Sequence, residues 1–195
     1  MSLLSNNVPP VHVTDDRVAR SKVWVAILVH TNCEHRAASQ LEKLSIESFV
    51  AAQEEMHRWS DRMKKIQRVV IPSIVFVLVE PQRFNELKRL SFVRGLMTYP
   101  GMQKPAEIPE QQMQMLKFML GQSDNPVGFY GGDDSMKIGE MVRVIRGPLT
   151  GLEGVLYRLD GNELHVCISI SELGWAHAQV STQDIAVIRN RVIDK

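Results

Sequence analysis

A chain of 195 residues with 44% hydrophobic and 23% charged content is a soluble protein of one or two small domains with a real core. Its net charge of +1 divides unevenly: residues 1–120 carry 16 Lys/Arg against 12 Asp/Glu, and residues 121–195 carry 7 against 10, too mild an excess for tight nonspecific DNA binding. No apolar run approaches the ~20 residues of a membrane helix, and two distant cysteines, Cys33 and Cys167, without a signal peptide fit a reduced cytoplasmic setting.

Residues 1–20 are polar, contain Pro9-Pro10 and read as a mobile tail. "KVWVAILV" (22–29) is a strand, apolar enough to be central in a sheet. "HTNCEHRAASQLEKL" (30–44) switches to helical period, with Ala37, Ala38, Leu41 and Leu44 on one face. Thr31 to Glu34 fits a capping box, Glu34 reaching back to the helix start. "ESFVAAQEEMHRW" (47–59) is a strand, followed by a basic tip over 60–68. "VVIPSIVFVLV" (69–79) is a second strand, and Pro81 opens a helix with Phe84, Leu87 and Leu90 inward. "FVRGLMTYP" (92–100) is a fourth strand, and "PEQQMQMLKFML" (109–120) a short helix ending at Gly121.

The order β-α-β-β-α-β plus a helix predicts a ferredoxin-like split βαβ domain over 21–120. Residues 121–136 are dense in Gly, Asp, Asn and Pro and read as a linker. Residues 137–192 hold only short strands, around 141–146, 152–159, 163–170, 175–180 and 185–188, which suit a small five-strand β-barrel. The fold class is therefore α+β. In the split βαβ topology the two crossover helices cover one face, and a half-covered strand should alternate apolar and polar residues. Ile74 to Val79 do not alternate. Either the second face is an apolar docking surface, or the third helix or the linker covers it.

"VIRGPLTGLEG" (144–154) carries Gly147, Gly151 and Gly154, but no lysine follows as in a P-loop and no helix as in a dinucleotide fingerprint. The following residues read as a hairpin with a Gly161-Asn162 turn, so these glycines serve strand turns. His30, Cys33 and His35 lack a fourth metal ligand. His165 and Cys167 alternate on one strand face as packing. No Ser/His/Asp or Cys/His arrangement has supporting context, so no enzyme and no cofactor is expected.

"KIGEMVRVIRGPLTGLEGVLYRLDGNELHV" (137–166) resembles a KOW motif through Gly147, Pro148, Gly151 and Gly154 among others. "WVAILVHTNCEHRA" (24–37), "RVVIPSIVFV" (68–77) and "VRGLMTYPG" (93–101) resemble the NusG N-terminal domain, and "HRWSDRMKK" (57–65) further resembles the UpxY group of specialised paralogues. The resemblance covers nearly everything after residue 20. It implies a transcription elongation or antitermination factor that docks on the clamp helices of the RNA polymerase β′ subunit, at a specific operon such as a capsular polysaccharide locus. It also implies a KOW partner, either a small-subunit ribosomal protein or Rho, and contact with the non-template DNA strand or nascent RNA.

Carried over by position, the resemblance puts polymerase contact on Trp24, Leu28, Ile74 and Phe76, and an opposite-pincer contact near Glu86, Leu87 and Lys88. Nucleic acid falls to His30, Thr31 and Arg36 at the strand-to-helix junction. The basic tip, Arg58, Arg62, Lys64, Lys65 and Arg68, is either a solvated hairpin or a second nucleic-acid contact. The alternative function is a KOW-containing ribosome- or nucleic-acid-binding protein without polymerase docking, its N-terminal domain a scaffold. An exposed second sheet face fits the first reading and a covered one the alternative.

Overall fold

The computed structural model describes residues 21–58, 63–131, 139–158 and 163–188. The expected tail, Trp59, Arg62, the Gly161-Asn162 turn and residues 132–136 of the expected linker lie outside the described residues.

The first unit runs β1 (Val23–Leu28), α1 (Glu34–Lys43), β2 (Glu47–Phe49), β3 (Ala52–Arg58), β4 (Met63–Val69), β5 (Ile74–Val79), α2 (Phe84–Lys88), β6 (Gly95–Leu96), β7 (Glu107–Ile108) and α3 (Glu110–Gln122). Its main sheet has the order β2-β5-β1-β6, with β7 also on β1. No helix among the described residues is long and apolar enough to cross a membrane.

Several expected boundaries move, each for a local reason. The 47–59 strand breaks at Val50–Ala51: β2 stays on β5, while β3 leaves to pair with β4 as a separate two-stranded ribbon. The basic tip is shorter than expected because β4 already begins at Met63. The 92–100 strand shrinks to Gly95–Leu96, because β1 shares that edge between β6, opposite Ile27 and Leu28, and β7, opposite Trp24 and Val25. The last helix passes through Gly121 to Gln122. No side-chain capping bond forms at the start of α1.

Strand alternation sends Val25 and Ile27 of β1, with Val75, Val77 and Val79 of β5, to one face. There they meet Ala37 and Leu41 of α1 and Leu87 of α2. Trp24 and Ala26, with Ile74 and Phe76, point to the other face, and that face is covered as well. Helix α3 lays Met113, Leu116, Met119 and Leu120 against it. A strand buried on both faces reads as an unbroken apolar run, which is why 74–79 does not alternate. The expectation of an open docking face is thus corrected in favour of the helix that fills it.

The second unit is a six-stranded antiparallel sheet in the order β13-β9-β10-β11-β12-β8. Its strands are β8 (Gly128–Gly131), β9 (Met141–Val144), β10 (Glu153–Arg158), β11 (Leu164–Ile170), β12 (Gly174–Gln179) and β13 (Ile185–Val187). Five of these match the strands read from the sequence. The sixth, β8, comes from the segment read as linker and pairs with β12. The expected barrel does not close among the described residues, since β13 and β8 end the sheet without pairing to each other. Gly147 and Gly151 take φ of 82° and 94° in the β9–β10 turn, which Thr150 braces by donating its hydroxyl to Gly147 O at 2.6 Å. At Gly154 a Cβ would lie 2.5 Å from Cys167 O, so only glycine lets β10 approach β11 this closely.

The two units share one core. Val142, Val144, Val166, Ile168 and Ile170 of the second sheet belong to the same buried cluster as Trp24, Phe76 and the α3 residues. At the seam the Ser171 N–H donates to Gln112 Oε1 at 2.8 Å, and its hydroxyl donates to Glu107 O at 3.2 Å. The rest of the 121–131 segment is tied to the ribbon. Gln53, 5% exposed, donates Nε2–H to Ser123 O and Asn125 O at 3.0 Å each and accepts from Val127 N–H at 2.8 Å.

Two outcomes follow from this packing. Phe76 is fully buried, so Phe76→Ala leaves a cavity and costs about 3–5 kcal/mol of stability, read as a lower urea midpoint. Gln53→Ala removes three bonds to one backbone segment and leaves the buried Val127 amide without its partner. It is expected to cost about 1–3 kcal/mol and to speed hydrogen exchange at Val127 more than at β1.

Candidate polymerase and nucleic-acid interface

The strand-to-helix junction is built around a turn between β4 and β5. Ser73 sits there at φ 64°, a left-handed conformation that costs a residue with a Cβ roughly 1 kcal/mol. Three bonds hold it. Its carbonyl accepts from Val29 N–H at 2.9 Å, its N–H donates to Glu34 Oε1 at 2.6 Å, and its hydroxyl lies 2.6 Å from Thr31 Oγ1. Glu34 is 2% exposed. The carboxylate expected to cap its own helix therefore reaches across to pin a neighbouring turn. Sequence reasoning missed this role because the partner is 39 residues away, with no local spacing to mark it.

Around this pin His30, Thr31 and Arg36 are all exposed. His30 and Arg36 border a cleft of about 240 Å³ with Cys33, Gln40, Ser91 and Phe92. Thr31 is committed to Ser73, which leaves Arg36 as the permanent charge among the three. The pair Glu34 and Ser73 carries the junction's shape; of the two, the sequence marked only Glu34, and as a helix cap.

The basic ribbon is less basic than its sequence. Cross-strand neighbours on β3 neutralise part of β4: Lys65 meets Glu54 at 2.6 Å, and Arg68 pairs with Glu55. The bond to Glu54 raises the Lys65 pKa above its ordinary value. Arg68 also donates Nη2–H to Val127 O at 2.9 Å, so it braces the connecting segment. Lys64 is exposed. The Arg58 side chain and Arg62 lie outside the described residues. The acids Glu54 and Glu55 were legible as residues, but their pairing depends on a register that only the ribbon supplies.

The four residues carried over as polymerase contacts do not form an open floor. Trp24, Ile74 and Phe76 are 2%, 5% and 0% exposed, and Leu28 is half-buried. Trp24 is clasped by α3: its indole N–H donates to Glu110 Oε2 at 2.6 Å, and Lys117 Nζ lies 4.3 Å from its ring centroid. What the face leaves partly accessible is a rim of Leu28, Phe49 and Leu78; separately, Phe118 of α3 is 38% exposed. On α2, Leu87 is fully buried in the other core cluster, Glu86 is paired with Arg83 at 2.8 Å, and Lys88 is exposed. Leu87 is thus a packing residue in this arrangement.

The architecture is a split βαβ sheet with a helix closing its second face, followed by an antiparallel sheet. Among the described residues no group of three or more His, Cys, Asp or Glu is placed to hold a metal. Residues 22–117 match the family model described as "Transcription termination factor nusG". The match spans most of the first unit, from β1 into α3, and this unit is what the chain has in common with NusG-type transcription termination factors. Among solved structures, the chain is similar to one described as "Domain interaction in Thermotoga maritima NusG", with 18% identity over 88% of this chain and 99% of that one and a TM-score of 0.46. It is also similar to one described as "Crystal Structure of MjSpt4:Spt5 complex conformation A", with 16% identity, 85% and 97% coverage and a TM-score of 0.26. No curated protein matches.

The strained turn gives a direct check of the junction. Ser73→Gly relieves the left-handed conformation and is expected to raise stability by about 0.5–1 kcal/mol, seen as a higher melting temperature. Glu34→Ala leaves the Ser73 N–H without its partner and is expected to lower it by about 1–3 kcal/mol.

Proposed function

We propose that this chain is a transcription elongation or antitermination factor that acts by docking its NusG domain on RNA polymerase, through the clamp helices of the β′ subunit. The observation that carries the reading is the family match over residues 22–117. The docking surface in this reading is the apolar rim of Leu28, Phe49 and Leu78 together with the exposed Phe118 of α3, because the residues behind the rim are spent on the core. The resemblance of residues 57–65 to the UpxY group supports a specialised role at one operon, such as a capsular polysaccharide locus. The turn at Gly147, Pro148, Gly151 and Gly154 supports a KOW role for the second sheet, whose partner is a small-subunit ribosomal protein or Rho. Exposed Arg36, with His30 and Lys64, supports contact with the displaced DNA strand or nascent RNA.

One observation favours the alternative, a ribosome- or nucleic-acid-binding protein without polymerase docking: Trp24 and Phe76 are covered by the chain itself. The two readings separate in a binding experiment with core polymerase. Under the first, Phe118→Ala keeps the fold and weakens binding about tenfold or more, as truncation of an interface anchor does. Arg36→Ala and Lys64→Ala each flatten the log–log salt dependence of binding to a paused complex by about one unit. A folded protein that ignores polymerase but still binds nucleic acid leaves the alternative standing.

A further inference from the structure

The outer face of the second sheet buries two imidazoles against each other. His165 on β11 and His177 on β12 are 7% and 9% exposed, with their Nδ1 atoms 3.1 Å apart. At that distance one nitrogen carries a hydrogen and the other accepts it, so the contact needs a single shared proton. The rings meet edge to face, with centroids 5.0 Å apart. His177 in turn stacks on Tyr130 of β8 at 4.8 Å and 17°. A Cβ at Gly128, also on β8, would lie 2.1 Å from His177 Nε2, so the ring lies directly on that strand's backbone. β8 is the strand that carries the connecting segment, clamped by Gln53, into the second sheet.

The surroundings decide how many protons the pair can hold. Among the described residues, the titratable groups near the pair are Glu163, just before β11, Cys167 on β11, Tyr157 on β10, opposite His165, and Tyr130 on β8. Burial pushes the Cys167 thiol up to about 12, so it stays neutral. The Glu163 carboxylate lies 3.7 Å from His165 Nε2, a buried atom with no hydrogen-bond partner. One extra proton therefore has a place: on His165, whose Nε2–H then faces Glu163 while Nδ1–H donates to His177. A second extra proton has none. It would set two Nδ1–H groups head to head and two positive rings in contact, inside a seam that excludes water.

We propose that the His165–His177 pair is a proton-sensitive pin on β8: double protonation separates the two rings and frees β8 from β12 before the rest of the fold opens. The energetics have the matching sign. Burial, reinforced by the neighbouring His165, lowers the His177 pKa from its ordinary 6.5 to about 4, and burial also lowers that of His165 against the pull of Glu163. Between those two values of His177 the opened strand binds more protons than the closed one. The seam is intact above pH 6.5 and weakens as pH falls toward 4.

Hydrogen exchange of the full chain at pH 7 and pH 4.5, corrected for intrinsic rates, tests this. Amides of Gly128–Gly131 and of their β12 partners should lose protection by about tenfold or more at the lower pH, while those of Val25 and Ile27 on β1 hold. His177→Phe, which keeps a ring on Tyr130, should abolish the acid response. If that variant does not fold, His165→Gln, which cannot form a doubly charged pair, should shrink the response several-fold. Unchanged β8 protection at pH 4.5 overturns the proposal. So does loss of β1 protection in step with β8, or an acid response that survives in the substituted protein.

Discussion

The joining of the two sheets into one molecule depends on α3 being apolar on two sides. A helix at the end of a split βαβ unit ordinarily needs one buried stripe. Here Met113, Leu116, Met119 and Leu120 fill the space between the face of β1 and β5 and the strands of the second sheet, within one continuous cluster. Removing that wedge would expose Trp24 and Phe76 on one side and Ile170 and Leu173 on the other. The methionines suit the task, because an unbranched thioether side chain adapts to two differently shaped neighbours. The polar first turn of the helix is fixed as firmly: Glu110 takes the indole proton of Trp24, and Gln112 takes the amide proton of Ser171.

The ribbon of β3 and β4 is the second organising element, and it works through polar groups. A two-stranded ribbon has little stability alone. This one is anchored where Gln53 and Arg68 grip the backbone of the segment leaving α3. The amide of Gln53 pairs with three backbone groups, among them the buried Val127 N–H that would otherwise lack a partner. The same arginine that looked available for phosphate is thereby occupied with Glu55 and Val127.

The elements themselves were largely legible, because strand and helix signals are local. Unbroken apolar runs marked β1 and β5, helical period marked α1, and the glycine spacing marked the β9–β10 turn. What escaped were features fixed at long range. The unbroken apolar run 74–79 announces burial on both sides but cannot name the covering element, and α3 begins some 30 residues later. Glu34 matched a capping box by spacing, yet a strained Ser73 across the fold offered a better partner. Gly128 to Gly131 have turn-forming composition and became a strand only because β12 presented an open edge. Of the site residues, Arg36 and Lys64 could be placed on the surface from polarity alone. The burial of Trp24 and Phe76 could not be read from polarity, since an aromatic suits a core and an interface equally.

The sharing of α3 also sets an order of events as the chain is made. When Val79 has left the ribosome, β1, β2 and β5 can pair and α1 can cover one face, but the other face has nothing to meet. Its cover begins at Met113, which at ordinary synthesis rates arrives roughly 2–7 s later. Through that interval a nascent sheet presents Trp24, Ile74 and Phe76 to its surroundings. The far side of the helix then waits again for β11. Two apolar surfaces that the finished protein hides, first the sheet face and then the far side of the helix, are thus bared in turn while the chain is made.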